Sequence, residues 1–255
     1  MRREALRALR NVGGAAQTAG LLDVLLKAST AAERRDAALT LGTVLRRAQP
    51  APIGAVISAY NNTSALQSRL SLLDVMGQVS SEEALALLRK TIQDVNPEIA
   101  RGAILALTAW NDGTPLMDLL NLAKSVSRSL QAAGEAIDSQ ATLPPGYVSP
   151  NGAGRGARAA RGGPPTSNIQ VLALRGCLRL MVLESQRTPA ESGQLLSEAM
   201  TVATQTNEKL SILSLLPSFP SKESLAVAQA AERDTAVANE AKVAVDQVTE
   251  ALKLK

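Results

Sequence analysis

The sequence predicts an all-α chain built as an α-solenoid, a superhelix of stacked helical hairpins. Three observations predict it. Aromatic residues make up only 2% of the 255 positions (Trp110, Tyr60, Tyr147 and Phe219), while Leu and Ala dominate. Strands favour β-branched and aromatic side chains, whereas Ala, Leu, Arg, Glu and Lys are strong helix formers. A Leu/Ala core with so few rings reads as helices packed closely on helices. Second, one pattern recurs along the chain at a nearly constant step. Third, helix-start signals stand between the recurrences and mark a second helix in each unit.

The recurring pattern is a basic residue, apolar residues at helical spacing, then a turn. It appears as RREALRALRNVG (2–13), RRDAALTLGTV (34–44), RLSLLDVMGQV (69–79), ARGAILALTAW (100–110), LRGCLRLMVLE (174–184), KLSILSLLPSF (209–219) and AKVAVDQVTEAL (241–252). One equivalent apolar position from each is Leu9, Leu41, Met76, Leu107, Met181, Leu216 and Val248. They stand 32, 35, 31, 74, 35 and 32 residues apart. Five of the six steps lie within a few residues of 33, which unrelated helices would not keep. Thr188-Pro189-Ala190-Glu191 reads as a capping box with proline at the first helical position, and Ser80-Ser81-Glu82-Glu83 follows the same S-x-x-E logic. Thr114-Pro115, Ser221 and Asn96-Pro97 read as further helix starts. Neither helix of a unit can bury its apolar stripe alone, so stacking must create the core.

The step of 74 marks an insertion. Subtracting one period leaves about 40 residues, placed at 127–167; the first part, SVSRSLQAAGEAIDSQ, has room for a degenerate helical repeat, but the whole is read as a long loop between helices. Its later part, 143–168, holds five prolines, six glycines and no acidic residue. Such a segment has little to bury and is expected to be disordered. The organisation is therefore helical-hairpin repeats over 1–126 (the first one incomplete), an inserted loop over 127–167, and repeats continuing the same solenoid over 168–255. The first helix stands as the second helix of a unit whose partner is missing. That suggests a piece of a longer chain, or an end covered by a partner.

Segments such as Pro97-Glu98-Ile99-Ala100-Arg101-Gly102-Ala103-Ile104-Leu105-Ala106-Leu107 and Arg34-Arg35-Asp36-Ala37-Ala38-Leu39-Thr40-Leu41-Gly42 resemble HEAT repeats of the short, bilin-lyase-like type. The resemblance covers nearly everything outside 127–167. Ala173-Leu174-Arg175-Gly176-Cys177-Leu178-Arg179-Leu180 is similar to HEAT modules of large multidomain bacterial proteins. The resemblance implies an armadillo-like fold and a protein-binding scaffold. An ankyrin reading of Gly113-Thr114-Pro115-Leu116 fails because the motif occurs once and lacks its histidine. The tetratricopeptide period fits, but the Trp, Gly and Tyr positions of that motif are absent.

Composition narrows function by exclusion. With no histidine and one cysteine, Cys177, the chain offers no His-based acid–base chemistry, no Ser–His or Cys–His nucleophile pair and no zinc site of familiar spacing. No catalytic, cofactor-binding or metal-binding residue is expected, and no cofactor. Cys177 reads as a small core hydrophobe. No apolar run is long enough to span a bilayer. The expectation is a cytoplasmic protein by default, or an exported one if it is a fragment of a longer chain with its own signal.

Two arrangements of charge carry the remaining readings. A basic residue opens each second helix: Arg2 or Arg3, Arg34 or Arg35, Arg69, Arg101, Arg175, Lys209 and Lys242. These are read first as a ladder paired with acids of neighbouring turns, such as Glu33, Asp94, Glu98 and Asp112, and second as a track for an acidic partner. The net charge is +4, and residues 1–50 alone carry +5, so any nucleic-acid contact belongs at the N-terminal end. Arg155, Arg158 and Arg161 in the Gly/Pro segment read as solvated linker rather than an RNA tail. Second helices normally line the concave surface of a solenoid. Its candidate partner-binding residues are therefore Arg3, Arg7, Arg10, Arg35, Asp74, Arg175 and Arg179. The function expected is a non-catalytic protein–protein interaction scaffold, a repeat module of a larger bacterial protein. Its partner is an unidentified protein or other domains of the same chain, with nucleic acid disfavoured and no membrane. The alternatives are a nucleic-acid-binding HEAT protein using the basic N-terminal repeats, and an accessory subunit of an enzyme such as a lyase.

Overall fold

The computed structural model of the chain describes residues 2–48, 51–140, 165–183 and 186–254. Among them are thirteen α-helices and no strand. In order these are α1 (Arg2–Val12), α2 (Thr18–Lys27), α3 (Ala31–Arg47), α4 (Ile53–Asn62), α5 (Leu66–Val79), α6 (Glu82–Thr91), α7 (Pro97–Thr108), α8 (Leu116–Gln140), α9 (Pro165–Met181), α10 (Pro189–Val202), α11 (Thr206–Leu215), α12 (Lys222–Ala231) and α13 (Ala238–Lys253).

Packing follows the step in the sequence. Each even-numbered helix packs on the odd-numbered helix after it, from α2 on α3 to α12 on α13. Each odd-numbered helix also packs on the next odd one, from α1 on α3 through to α11 on α13. Of the seven equivalent apolar positions, Leu41, Met76, Leu107, Met181, Leu216 and Val248 are buried. Each leucine so buried contributes about 1.5–3 kcal/mol. Leu9, on the first unit, is only half-buried.

The helix starts obey local chemistry. Thr188 Oγ1 accepts from the Glu191 amide (3.2 Å) while Glu191 Oε2 accepts from the Thr188 amide (2.7 Å), the reciprocal box read from the sequence. Asn96 accepts from the Glu98 amide and Ser221 from the Ser224 amide. At Ser80-Ser81-Glu82-Glu83 the frame differs by one residue. Ser81 is the cap, accepting from the Ala84 amide at 3.2 Å, so no glutamate completes a box. Ser80 instead closes α5 in the left-handed region (φ 56°), its amide donating to the Met76 carbonyl. The tight turn between α5 and α6 takes Ser80 for its own geometry.

The insertion reading is corrected at both edges. Residues 127–140 were expected as loop, but α8 continues unbroken to Gln140, and α9 begins at Pro165 rather than 168. SVSRSLQAAGEAIDSQ has no proline, and its three alanines with Leu130, two glutamines, Arg128 and Glu135 favour helix enough to carry the one that enters it past Gly134. The rest of the Gly/Pro reading, with Tyr147, Arg155, Arg158 and Arg161, lies outside the described residues. α8 packs extensively on α9, and α7 packs directly on α9, so the row of odd-numbered helices runs past the insertion without a gap.

Two polar devices recur between units. One is an aspartate in the turn before an odd-numbered helix. Asp94 Oδ1 accepts from the Asn96 amide (2.9 Å), and its Oδ2 lies 3.5 Å from Arg69 Nη2 of the preceding unit. Asp234 repeats this with the Ala236 amide (3.0 Å) and Lys209 Nζ (2.6 Å). One carboxylate thus fixes its own turn and ties it to the helix before. Asp36 adds another rung, accepting from Arg3 Nε at 2.9 Å. The ladder reading of the basic column therefore holds at Arg3, Arg69 and Lys209. Asp112 serves its own turn instead, accepting from the Thr114 amide.

The second device caps helix ends. The last carbonyls of a helix lack intrahelical donors. Arg47 at the end of α3 donates to the Arg10, Asn11 and Gly13 carbonyls behind α1, at 2.6, 2.8 and 3.3 Å. Asn111 Nδ2 donates to the Gln78 carbonyl of α5 (3.1 Å), and Arg179 of α9 donates to the Thr108 and Trp110 carbonyls of α7 at 2.6 and 3.0 Å. Each cap is delivered by the next odd-numbered helix or, for Asn111, by the turn that follows it.

These carboxylates set an acid sensitivity. The Lys209 hydrogen bond, then the Ala236 amide, hold the Asp234 carboxyl below its ordinary 3.8. The Thr188 amide and hydroxyl lower Glu191 in the same direction. A depressed folded pKa contributes stability that is present above the unfolded value and lost as pH falls through the folded one. Thermal melts should therefore fall steadily below about pH 4, and Asp234→Asn, which keeps the turn acceptor but not the charge, should flatten that decline. An unchanged acid limb in the variant would show that the Lys209 bond contributes nothing.

Candidate interaction surface

The six arginines among the seven residues expected at a partner surface divide into two groups, with Asp74 apart from both. Arg3, Arg10 and Arg179 are committed within the fold. Arg3 pairs with Asp36. Arg10, half-buried, donates to the Asp36 carbonyl (3.5 Å) and to Thr40 Oγ1 (3.4 Å), and Arg179 caps α7. Arg7, Arg35 and Arg175 are exposed and make no hydrogen bond or ion pair among the described residues. Arg101, which the sequence placed only in the ladder, behaves like them.

These four free arginines sit on α1, α3, α7 and α9, on the side of the odd row turned away from the even helices. The same side carries exposed apolar side chains. Leu39 (37% exposed) lies one turn beyond Arg35 on α3, and Leu105 (45%) one turn beyond Arg101 on α7. Positions four apart on a helix are neighbours on its surface, with Cβ atoms about 5–6 Å apart. Val182, just past α9, is 60% exposed, and Val243 on α13 is 55% exposed. No sequence signal separated these leucines from the buried ones beside them, since Leu39 and Leu41 differ only in which neighbour covers them.

α5 contributes Asp74. Its side chain reaches solvent, yet surrounding protein raises its carboxyl above the ordinary 3.8, against the Gln78 hydrogen bond and the charge of Arg35. Gln78 Nε2 donates to it at 3.0 Å. Further along, Leu210, Leu213 and Ser214 of α11 with Asn239, Glu240, Val243 and Gln247 of α13 line an open groove of about 470 Å³.

Catalytic chemistry finds little to build on. Among the described residues no three His, Cys, Asp or Glu side chains are grouped to hold a metal. Cys177 is buried, and burial pushes its thiol up to about 12, so it carries almost no thiolate at neutral pH. The buried Glu208 is engaged locally through one oxygen, its Oε2 accepting from the Thr204 and Gln205 amides (3.0 Å each) at the start of α11, while its Oε1 has no hydrogen-bond partner among the described residues. Among the described residues no helix is long and apolar enough to cross a membrane. Compared with known protein families, curated proteins and solved structures, the chain matches none.

Proposed function

We propose that this chain is a HEAT-like α-solenoid acting as a non-catalytic protein–protein interaction scaffold, a repeat module of a larger bacterial protein. The alternation of contacts, with every odd helix on the next odd helix and a step near 33 residues everywhere but across the insertion, supports the solenoid reading. The observation that carries the function is the outward side of that row, where Arg7, Arg35, Arg101 and Arg175 stand free beside exposed Leu39 and Leu105. Extended repeat stacks use such a side to bind partners. The nucleic-acid alternative loses weight on the same ground. Arg3, Arg10 and Arg47, three of the cations that make the N-terminal end basic, are held by internal hydrogen bonds.

Affinity purification of the chain from its host, with and without nuclease, tests the reading. The expected result is one protein recovered in stoichiometric amount and retained after nuclease. Recovery of nucleic acid alone, released as salt is raised, would overturn it.

A further inference from the structure

We propose that the outward side of the odd-numbered helices receives an acidic amphipathic helix, its carboxylates meeting Arg7, Arg35, Arg101 and Arg175 and its leucine-sized residues meeting Leu39, Leu105 and the α11–α13 groove. The proposal rests on the scaffold reading and names its partner by chemistry. Charge is the first argument. On α1, α3, α7 and α9 the four arginines make no hydrogen bond or ion pair among the described residues; Glu4 and Glu98 stand one turn before Arg7 and Arg101, and the charge of Arg35 reaches Asp74. Further along, α13 presents Glu240, Asp246 and Glu250 with Lys242, so the cationic side ends at α9. A partner complementary to this surface is acidic over most of its length and neutral or basic at its far end.

The second argument is the pairing of charge with apolar area. Singly exposed leucines are ordinary on a protein surface. Here Leu39 and Leu105 each follow a free arginine by one turn, in two different units, and Val182 and Val243 continue the same side. An arginine beside an apolar patch suits a partner that brings a carboxylate and an apolar side chain together, as one face of an amphipathic helix does.

Spacing makes the partner specific. Packed helix axes lie about 8–10 Å apart, and a helix laid across the row rises about 1.5 Å per residue. Successive odd helices are then met about every six or seven residues. The pattern on the row is Arg, Arg, Asp, Arg, Arg over α1, α3, α5, α7 and α9. The matching helix carries Glu or Asp at heptad spacing with leucine alongside, and an Asn or Lys at the third step opposite Asp74.

A dye-labelled synthetic helix of that design, measured by fluorescence anisotropy against the full chain, tests this. The expected result is saturable binding that weakens about tenfold or more in the Arg35→Glu/Arg101→Glu/Arg175→Glu variant, and also in Leu39→Ser/Leu105→Ser. All five positions are exposed, and circular dichroism confirms that the variants remain helical. Placing Glu instead of Lys opposite Asp74 should weaken binding as well. Equal binding of a peptide with Lys in place of every Glu, or no binding of either, would overturn the proposal. The two readings fail separately. A host protein still captured by the triple variant would sink this face and leave the scaffold standing, while capture of no protein would sink the scaffold itself.

Discussion

Trp110→Ala is expected to destabilise the chain by about 3–5 kcal/mol, the usual range for emptying a fully buried indole site. Trp110 follows α7, is 2% exposed and heads the largest fully buried side chains. Its position explains why the loss should spread. Its amide donates to the Leu107 carbonyl (3.3 Å), closing α7, and its own carbonyl accepts from Arg179 of α9. The ring thus fills the core where the cap from the next unit is anchored. α7 packs directly on α9, so a cavity here weakens the α7–α9 junction as well as α7. For a chain of this size each kcal/mol shifts the melting temperature by about 2–4 °C. A fall of roughly 10 °C is expected, and a melt within a degree or two of wild type would show that the ring is not close-packed.

Gly77→Ala is expected to destabilise the chain although it adds only a methyl group. In a helix alanine is favoured over glycine by about 1 kcal/mol, so local propensity alone predicts a gain. The packing reverses it. A Cβ at Gly77 of α5 would stand 2.6 Å from the Ala106 carbonyl oxygen and 2.8 Å from its Cα, both backbone atoms of α7. Backbone cannot swing aside as a side-chain end can, so the two helices must separate. Overpacking of this kind costs about 1–3 kcal/mol or more, and separation also pulls Asn111 from the Gln78 carbonyl. Gly54→Ala is the matched control, because nothing lies within 4 Å of its added carbon on α4. Urea unfolding should show the two variants moving in opposite directions. If both stabilise, the close approach of α5 and α7 is absent.

Much of the helix pattern was legible because its signals are local. Thr188, Asn96 and Ser221 each cap the helix they precede through an amide two or three residues away, and such bonds need nothing distant. Ser80 shows the limit of this reading. Two adjacent serines both fit a cap, and the choice fell to Ser81 because the chain must also leave α5 through a left-handed residue. The run after Lys124 was misread for a related reason. The step of 74 correctly located extra residues, but a period does not say whether they extend a helix or form a loop.

The helix positions, their caps, the step near 33 and the buried apolar positions follow from short-range chemistry: propensity, hydrogen bonds spanning a few residues, and apolar spacing along one helix. The fate of each charged side chain does not. Arg3, Arg10 and Arg179 look like Arg7, Arg35 and Arg175 in the linear sequence, each on the polar side of an amphipathic segment. What separates them is an acceptor 26 to 71 residues away in sequence: the carboxylate or carbonyl of Asp36, or the open end of α7. An ion pair or a helix cap between units exists only once the odd-numbered helices lie side by side. The free arginine–leucine side is what remains when that packing has used its share.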